Sequence, residues 1–243
     1  MQPPSAQNGA VDLILVPSGI EHRVVRAAVS RGGSAAPAVQ AIPLGPAALS
    51  AHLSQWLASD PTLKPGSRIL LMGLAGALGE RLQVGDGVLV ELCAQLGGAG
   101  QIRWLPCDPA LTAVLGATPA QLQRARLFTS AAVVCSRREK LQLHAQTGAD
   151  VVDMEGFTAL EMLTAAGHQL AIVRVVSDDR RHDLPDISGA VSSSGVLLTG
   201  PLLLALLKRP LPAVRLMLGS VRALRALAGL THQLLGTASP SAA

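Results

Sequence analysis

Short apolar runs alternate along the chain with segments whose apolar residues recur at helical spacing. The runs predict strands over residues 11–16, 39–44, 68–73, 84–92, 127–134, 149–154 and 169–176. The helical spacing predicts helices over about 21–29, 47–58, 136–146 and 156–166. Strands that are apolar on both faces and separated by helices are typical of a parallel sheet covered on both sides. We therefore predict a single α/β domain with a mostly parallel, twisted central sheet flanked by helices.

The sequence shows no shift in composition that would mark a second domain, and no internal repeat. We predict a disordered N-terminus over 1–10, one domain over 11–235 with a C-terminal helical segment over about 198–235, and a disordered tail over 236–243. The most apolar window, 195–207, is shorter than the ~20 residues that a membrane-spanning helix needs. The first residues lack the pattern of a secretory signal, so we expect a cytoplasmic protein.

The C-terminal segment is basic and amphipathic. It contains no acidic residue from 208 onwards, and its apolar residues recur at helical spacing between Lys208, Arg209, Arg215, Arg222 and Arg225. A helix of this kind can lie on an anionic membrane surface. It can equally dock on the domain with a solvated basic face. The sequence thus predicts either a peripheral membrane contact through 208–230 or an ordinary packed helix.

Composition excludes several classes of protein. With 49% hydrophobic and 15% charged residues and a net charge of +4, the chain is too apolar for a disordered regulator. Its three cysteines have no metal-ligand spacing, so neither a disulfide-stapled module nor a metal site is expected. There are two tryptophans, two phenylalanines and no tyrosine. Because the basic residues lack interleaved aromatic residues, we expect no nucleic-acid partner.

Polar residues follow the predicted strands where ligands bind in α/β sheets, outside the carboxyl ends of the strands. Three acidic segments and one small-residue segment should converge there: Glu21, Gly73-Leu74-Ala75-Gly76, Asp153-Met154-Glu155 and Ser177-Asp178-Asp179. The small residues either let a ligand approach the backbone or form a tight turn from strand to helix. Arg174, inside an apolar strand, either belongs to the site or forms a structural ion pair with a carboxylate.

Four motifs in this order carry a resemblance to a known family: Gly-Leu-Ala-Gly at 73–76, Val-Gly-Asp at 84–86, Asp-Met-Glu-Gly at 153–156 and Arg-Val-Val-Ser-Asp at 174–178. Over roughly 11–186 the chain resembles the nucleoside phosphorylase/nucleosidase superfamily, which includes purine and uridine phosphorylases and methylthioadenosine nucleosidases. The segments 184–185 and 208–210 are similar to a hopanoid-associated branch, and 15–21 to cyanobacterial members. The resemblance implies a nucleoside phosphorylase-like fold.

The resemblance also implies a function. It implies an enzyme that cleaves the N-glycosidic bond of a purine nucleoside by hydrolysis or phosphorolysis, the nucleoside carrying an apolar 5′-substituent as in adenosylhopane. A 5′-methylthioadenosine/S-adenosylhomocysteine-type nucleosidase or phosphorylase is one alternative, and a non-catalytic nucleoside-binding relative is another. No cofactor is implied beyond inorganic phosphate as a co-substrate, and a homo-oligomer is expected.

Individual roles follow from the matched motifs. The resemblance implies that Asp178 hydrogen-bonds or protonates purine N7, that Glu21 orients the attacking water, and that Glu155 binds the ribose hydroxyls. The remaining residues implied in substrate binding are Met154 against the sugar, Arg174 near the nucleophile, and Ser177, Gly73, Ala75 and Gly76.

Three departures from the family pattern qualify this assignment. Leu74 stands where many nucleosidases have a serine that contacts the nucleophile. The phosphate motif of hexameric purine phosphorylases is absent after the first strand, which favours hydrolysis. The residues 131–135 are aliphatic where a base-stacking aromatic residue is usual, and Phe157 is expected in the core. Purine recognition should therefore rest on Asp178 and aliphatic walls, with much of the affinity coming from an apolar substituent.

Overall fold

The strands form one mixed sheet in a computed structural model that describes residues 10–30, 36–59, 64–98, 100–186 and 210–235, together with 192, 195, 196 and 198. Its strands are β1 (Leu13–Pro17), β2 (Ala38–Ile42), β3 (Arg68–Ala77), β4 (Gly87–Leu96), β5 (Ile102–Pro106), β6 (Leu122–Thr129), β7 (Val151–Asp153) and β8 (Gln169–Asp178). The helices are α1 (Ile20–Val29), α2 (Pro46–Ser59), α3 (Pro109–Gly116), α4 (Arg137–Thr147), α5 (Gly156–Ala165) and α6 (Pro210–Leu235).

Part of this sheet closes on itself. The strand order is β2-β1-β3-β7-β6-β4-β5, and β8 pairs with both β3 and β4. The strands β3, β7, β6, β4 and β8 therefore form a ring. Its β3–β8, β4–β6 and β6–β7 pairs are parallel, and its β3–β7 and β4–β8 pairs are antiparallel. The prediction of one α/β domain is confirmed, and its sheet is mixed, since β3–β7, β4–β8 and β4–β5 are antiparallel.

Two hydrophobic clusters cover the two sides of the sheet, which explains why the central strands are apolar at successive positions. One cluster lies under α2 and α5 and includes Leu49, Leu53, Trp56, Phe157 and Leu160. The other lies under α1, α3 and α6 and includes Val25, Val29, Leu111, Leu115 and Leu227. Aliphatic side chains supply nearly all of both clusters, as the scarcity of aromatic residues requires.

The segment Gly73–Gly76 is a strand and not a turn from strand to helix. β3 continues through it to Ala77 and pairs in parallel with β8 as far as Asp178, with an irregularity between Ala75 and Gly76. The prediction that β3 ends at Gly73 and β8 at Val176 is therefore wrong. Small residues do not mark a strand in the sequence, but they allow the two backbones to continue side by side up to the site.

Two elements were missed by the sequence analysis, and two others were misplaced. β5 is a partly exposed strand that pairs only with β4 in the described chain, so it lacks an apolar run. The short helix α3 begins at Pro109, where Asp108 caps it by accepting a hydrogen bond from the Leu111 N–H. The strand predicted over 84–92 is β4, and the one predicted over 127–134 is β6, each with shifted bounds.

The basic C-terminal segment contains a long helix, α6. Its buried face packs on the sheet and on α1 through Ala223, Leu227, Leu230 and Leu234. Within the described ranges, no helix combines the length and the apolar character needed to cross a membrane. The predictions for residues 1–9, for most of 198–209 and for 236–243 lie outside the described residues.

At Gly219, α6 lies close to the backbone of β8. A Cβ atom at this position would lie 2.7 Å from the Ser177 carbonyl oxygen, whereas a Cβ at Gly229 on the same helix would meet no atom within 4 Å. Both residues are helical, so the two positions share the same gain in helix propensity on substitution by alanine.

We predict that Gly219→Ala lowers the free energy of unfolding by about 1–3 kcal/mol, because the extra methyl group pushes α6 away from Ser177. The matched variant Gly229→Ala should raise it by about 0.5–1 kcal/mol, the helix-propensity gain alone. Urea titration of both variants measures the difference. Equal stabilisation of the protein by the two substitutions would contradict the close packing of α6 on β8.

Candidate active site

Four strand ends meet around a cavity of about 160 Å³. The strand ends belong to β1, β3, β7 and β8, and the start of α1 and the segment 132–134 complete the wall. The described lining residues are Pro17, Glu21, Leu44, Leu74, Ala75, Gly76, Ala132, Val133, Val134, Val152, Asp153, Met154, Glu155, Ser177, Asp178 and Leu184. The acidic segments singled out from the sequence therefore do converge.

Arg174 lies beneath this cavity and is fully buried. Its Nε donates a hydrogen bond to Asp153 Oδ2 at 3.0 Å, and its Nη2 pairs with the same oxygen. Nη2 also lies 3.6 Å from Glu155 Oε2. The structural ion pair considered from the sequence is thus present, and it joins two acidic residues of one motif to the arginine of another.

Asp153 is held from its other side by the first turn of α5. Its carboxylate accepts the Gly156 N–H at 2.9 Å and the Thr129 hydroxyl at 2.7 Å. The Thr129 oxygen in turn accepts the Phe157 N–H at 2.8 Å. A helix N-terminus favours a negative charge, so α5 stabilises the carboxylate that orients Arg174.

Glu155 is almost completely buried, at 3% exposure, although it carries a carboxyl group. Its Oε1 accepts the Gly45 N–H at 2.9 Å. Burial, and next the negative charge of Asp153, raise the pKa of Glu155 to about 7. The carboxyl group therefore changes its charge near neutral pH and lies in the cavity wall beside Met154.

Glu21 approaches Arg174 from α1. Its Oε2 accepts the Leu74 N–H at 2.8 Å, and burial raises the pKa of the Glu21 carboxyl. Gly73 leaves the space for this arrangement. A Cβ at Gly73 would lie 2.7 Å from Glu21 Oε2 and would collide with Arg174 Nη1. Gly73 is absent from the cavity wall and serves the site by carrying no side chain.

One nitrogen of Arg174 has no hydrogen-bond partner among the described residues. This atom, Nη1, is buried and lies next to Gly73 and the Glu21 carboxylate. An unpaired buried guanidinium N–H costs free energy, so its persistence suggests a bound group. A water or a substrate hydroxyl at this place would be shared between an anionic acceptor, Glu21, and a cationic donor, Arg174.

Asp178 forms the opposite wall and has a partner that the sequence analysis missed. The Lys140 ammonium pairs with Asp178 Oδ2, and the Ser177 hydroxyl donates to Asp178 Oδ1 at 2.7 Å. Lys140 also donates to the Asp179 carbonyl at 2.8 Å. The first four residues of α4 are all charged, so nothing in the sequence distinguishes the buried lysine from its exposed neighbours.

The remaining residues predicted to bind substrate lie in the cavity wall. Met154, Ala75, Gly76 and Ser177 line the cavity. Leu74, which stands where many nucleosidases have a serine, lines the cavity too, and its backbone N–H donates to Glu21. No aromatic residue occurs among the described lining residues. Phe157 belongs to the core, where the Arg103 guanidinium lies 5.4 Å from its ring centre.

A second cavity of about 340 Å³ adjoins the first and shares Ser177, Asp178 and Leu184 with it. Its far wall is the first half of α6, including Arg215, Leu216 and Leu218. Neither cavity holds a metal-binding cluster. Throughout the described residues, no group of three or more His, Cys, Asp and Glu side chains is arranged to hold a metal ion.

Solved structures with the same fold include several nucleosidases. The futalosine hydrolase of Helicobacter pylori superposes with a TM-score of 0.68 at 13% identity, covering 93% of this chain and 97% of that one. The 5′-methylthioadenosine/S-adenosylhomocysteine nucleosidases give a TM-score of 0.68 at 14% identity for H. pylori (95% and 100% covered) and 0.64 at 15% for Neisseria meningitidis (93% and 98%). At these identities the likeness establishes the fold.

No curated protein sequence matches the chain. The family model of the phosphorylase superfamily matches residues 20–190, which span every strand except β1 and include all the residues placed around the cavity except Pro17. The resemblance seen in the four motifs is confirmed, and with it, at the level of the family, the prediction of an enzyme that acts on nucleosides. The chain belongs to the phosphorylase superfamily.

Proposed function

We propose that the protein hydrolyses the N-glycosidic bond of a purine nucleoside in the first cavity. The observation that carries this proposal is the meeting of Glu21 Oε2 and the unpaired Arg174 Nη1 at Gly73, with Asp178 across the cavity. One side of the cavity then activates and orients a nucleophile. The other side receives the departing base.

Glu21 is the base of the proposed reaction. Its Oε2 is fixed by the Leu74 N–H, which leaves Oε1 without a partner among the described residues and able to accept a proton from water. Burial raises the pKa of Glu21 towards the range that suits a general base. As the water oxygen bonds to C1′ and the C1′–N9 bond breaks, positive charge develops on the sugar, and Glu21, Glu155 and Asp153 surround it with negative charge.

The charge balance favours water over phosphate as the nucleophile. Glu21, Asp153 and Glu155 face the single guanidinium of Arg174, while the Lys140 ammonium is already paired with Asp178. A phosphate dianion in the cavity would meet this surplus of carboxylates. A neutral water molecule would not, so we expect cleavage to proceed without added phosphate.

The sugar and the base fit the two remaining walls. Glu155 keeps Oε2 facing Arg174 and the cavity, and can accept hydrogen bonds from ribose hydroxyls next to Met154. Asp178 is placed at the departing purine, with Ala132, Val133 and Val134 as aliphatic neighbours in place of an aromatic ring. Affinity for the base alone should therefore be low.

The second cavity supports an apolar substituent on the nucleoside. Leu184 lines both cavities, and Leu216 and Leu218 line the second one, where Leu218 is 68% exposed. A large apolar group such as that of adenosylhopane would continue along this path. A 5′-methylthio group would end within the first cavity, so methylthioadenosine remains the alternative substrate.

The exposed side of α6 supports a peripheral membrane contact. Val214, Met217, Leu218 and Val221 are 47–68% exposed, and Arg215, Arg222 and Arg225 lie among them on an element with no acidic residue. Apolar side chains flanked by guanidinium groups are typical of helices that bind anionic bilayers. We also propose a cytoplasmic homo-oligomer without a cofactor. Light scattering of the purified protein measures its oligomeric state.

We predict that the wild-type protein releases adenine from adenosylhopane, methylthioadenosine or adenosine at rates that are unchanged by added phosphate. Glu21→Gln should slow release by about 10²–10⁴-fold, because the general base is lost. Glu91→Gln, which removes an exposed partner of Arg124, is the matched control and should leave the rate unchanged. Chromatography of free adenine measures each rate.

The outcomes of this assay separate the alternatives. Cleavage that requires phosphate would replace hydrolysis by phosphorolysis. Nucleoside binding without cleavage of any of the three would leave a non-catalytic relative. If the KM for adenosylhopane is no lower than the KM for methylthioadenosine, the second cavity does not bind the apolar substituent.

A second prediction concerns stability and pH. The pKa of Glu155 is raised from its ordinary 4.5 to about 7. Between these pH values the carboxyl group ionises more readily in the unfolded chain than in the folded protein, so the free energy of unfolding falls as the pH rises from 4.5 to 7. Glu155→Gln should therefore stabilise the protein by about 3 kcal/mol more at pH 8 than at pH 4.5, relative to the wild type. Glu91→Gln removes an exposed carboxylate that pairs with Arg124, so this control should not stabilise the protein at pH 8. Urea titrations at both pH values check this, and a pH-independent effect of Glu155→Gln would contradict it.

A third prediction concerns α6. The full-length protein should float with vesicles containing an anionic phospholipid and remain unbound to vesicles of a zwitterionic phospholipid, since the helix supplies both charge and apolar contact. Replacing Met217 and Leu218 by serine should abolish flotation. Replacing the exposed Leu96 and Val114, which lie away from α6, by serine is the control. Flotation unaffected by the first pair of substitutions would disprove the proposed surface.

A further inference from the structure

Lys140 is a charged side chain enclosed within the protein. Its side chain has 0% exposure, and it is the largest buried polar residue after Arg174 among the described residues. Two hydrogen bonds account for its ammonium group, one to Asp178 Oδ2 and one to the Asp179 carbonyl. Burying an ammonium group costs free energy that its hydrogen-bond partners must offset. The position of Lys140 therefore depends on Asp178 and on the Asp179 carbonyl.

Lys140 reaches the cavity only through Asp178. It is not among the described residues that line either cavity, whereas Asp178 lines both. α4 presents it from outside the sheet, and the charged groups facing it are the Asp178 carboxylate and the turn that follows β8. On that turn, Arg180 is paired with Glu80, Asp179 with His182, and Asp183 with the Arg137 N–H at the start of α4. No second carboxylate among the described residues competes for the ammonium.

We propose that Lys140 is a positioning residue that supplies, through Asp178, the proton taken by the departing purine. This inference rests on the proposed function, because it assigns the origin of the proton in that reaction. An ionised Asp178 paired with an ammonium has no proton of its own to give. The ammonium holds one at hydrogen-bond distance from the oxygen that needs it.

The proton transfer balances as follows. The Lys140 Nζ–H bond breaks and an Asp178 Oδ2–H bond forms, which leaves a neutral amine on a side chain with 0% exposure. Asp178 passes its proton to purine N7 as the C1′–N9 bond breaks and its electron pair stays with the base. Glu21 takes a proton from the attacking water. After the products leave, a proton from solvent returns to Lys140 through Asp178, whose side chain is 12% exposed, and Glu21 releases its proton to solvent, so the cycle needs no other reactant.

The choice of lysine at this position supports a role in proton transfer. The chain contains 17 arginines and only three lysines, at 64, 140 and 208, so arginine is its usual cation. Arginine fills the buried position 174, where a permanent charge is useful. A guanidinium does not give up its proton in proteins, whereas a buried ammonium group can.

The test compares two leaving groups in the full-length protein. Lys140→Met keeps the volume of the side chain and removes the proton. It should slow release of adenine from the best nucleoside substrate by about 10²-fold or more. Cleavage of 4-nitrophenyl riboside should change less than tenfold, because nitrophenolate leaves without a proton. Lys64→Met, at an exposed lysine, is the matched control and should leave both rates unchanged.

A second variant keeps the test decisive if Lys140→Met fails to fold. Lys140→Arg retains the ion pair and should lose adenine release while it still cleaves the nitrophenyl riboside. If the nitrophenyl riboside does not bind, an N7-methylated purine nucleoside replaces it, since its base leaves without a further proton.

The results distinguish this inference from the proposed function. A wild-type protein that cleaves no nucleoside refutes the function, and the inference with it. If the wild-type protein cleaves nucleosides and Lys140→Met slows the release of adenine and of nitrophenolate equally, the lysine has only a structural role. Adenine release at the wild-type rate in Lys140→Met or Lys140→Arg likewise refutes the inference alone.

Discussion

The site depends on a single guanidinium enclosed by carboxylates. Arg174 has no access to solvent, and its charge is compensated by Asp153, which the first turn of α5 holds in place. Removing Asp153 would leave a buried cation unpaired, and removing Arg174 would leave three acids facing one another; either change costs several kcal/mol. Glu21 and Glu155 face the same guanidinium, which lowers the pKa of each, but burial raises the pKa of both carboxyl groups by more.

The closed sheet brings these groups together from distant parts of the sequence. The register pairs Gly73 with Arg174 and Gly76 with Asp178, while Val152 lies opposite Gly76 on the other edge of β3. The short strand β7 therefore delivers Asp153 to the side of β3 that faces α5. Strand pairing thus fixes the spacing of Asp153, Arg174 and Asp178. Glu21 comes instead from α1, and Glu155 is held by the Gly45 N–H.

The sequence shows the acidic residues more clearly than their partners. Glu155, Arg174 and Asp178 stand out because they interrupt or end apolar strands, and the family motifs give the same residues. The hydrogen bond from the Leu74 N–H to Glu21 cannot be predicted from the sequence, because every residue except proline has a backbone N–H group. The burial of Lys140 could not be predicted for a different reason. α4 begins with four charged residues, and the sequence does not indicate which of them is buried. The length of β3 was underestimated because small residues have weak strand propensity.

Gly73 has a consequence for how the protein can evolve. Any side chain at this position would occupy the volume shared by Arg174 Nη1 and Glu21 Oε2. A mutation there cannot be compensated by adjusting one neighbour, because the guanidinium is fixed by Asp153 and the carboxylate by the backbone of Leu74. Descendants that lose this glycine must abandon the arginine or the acid as well. The presence or absence of a glycine at this position thus separates sequences that keep the proposed chemistry from those that have only inherited the fold.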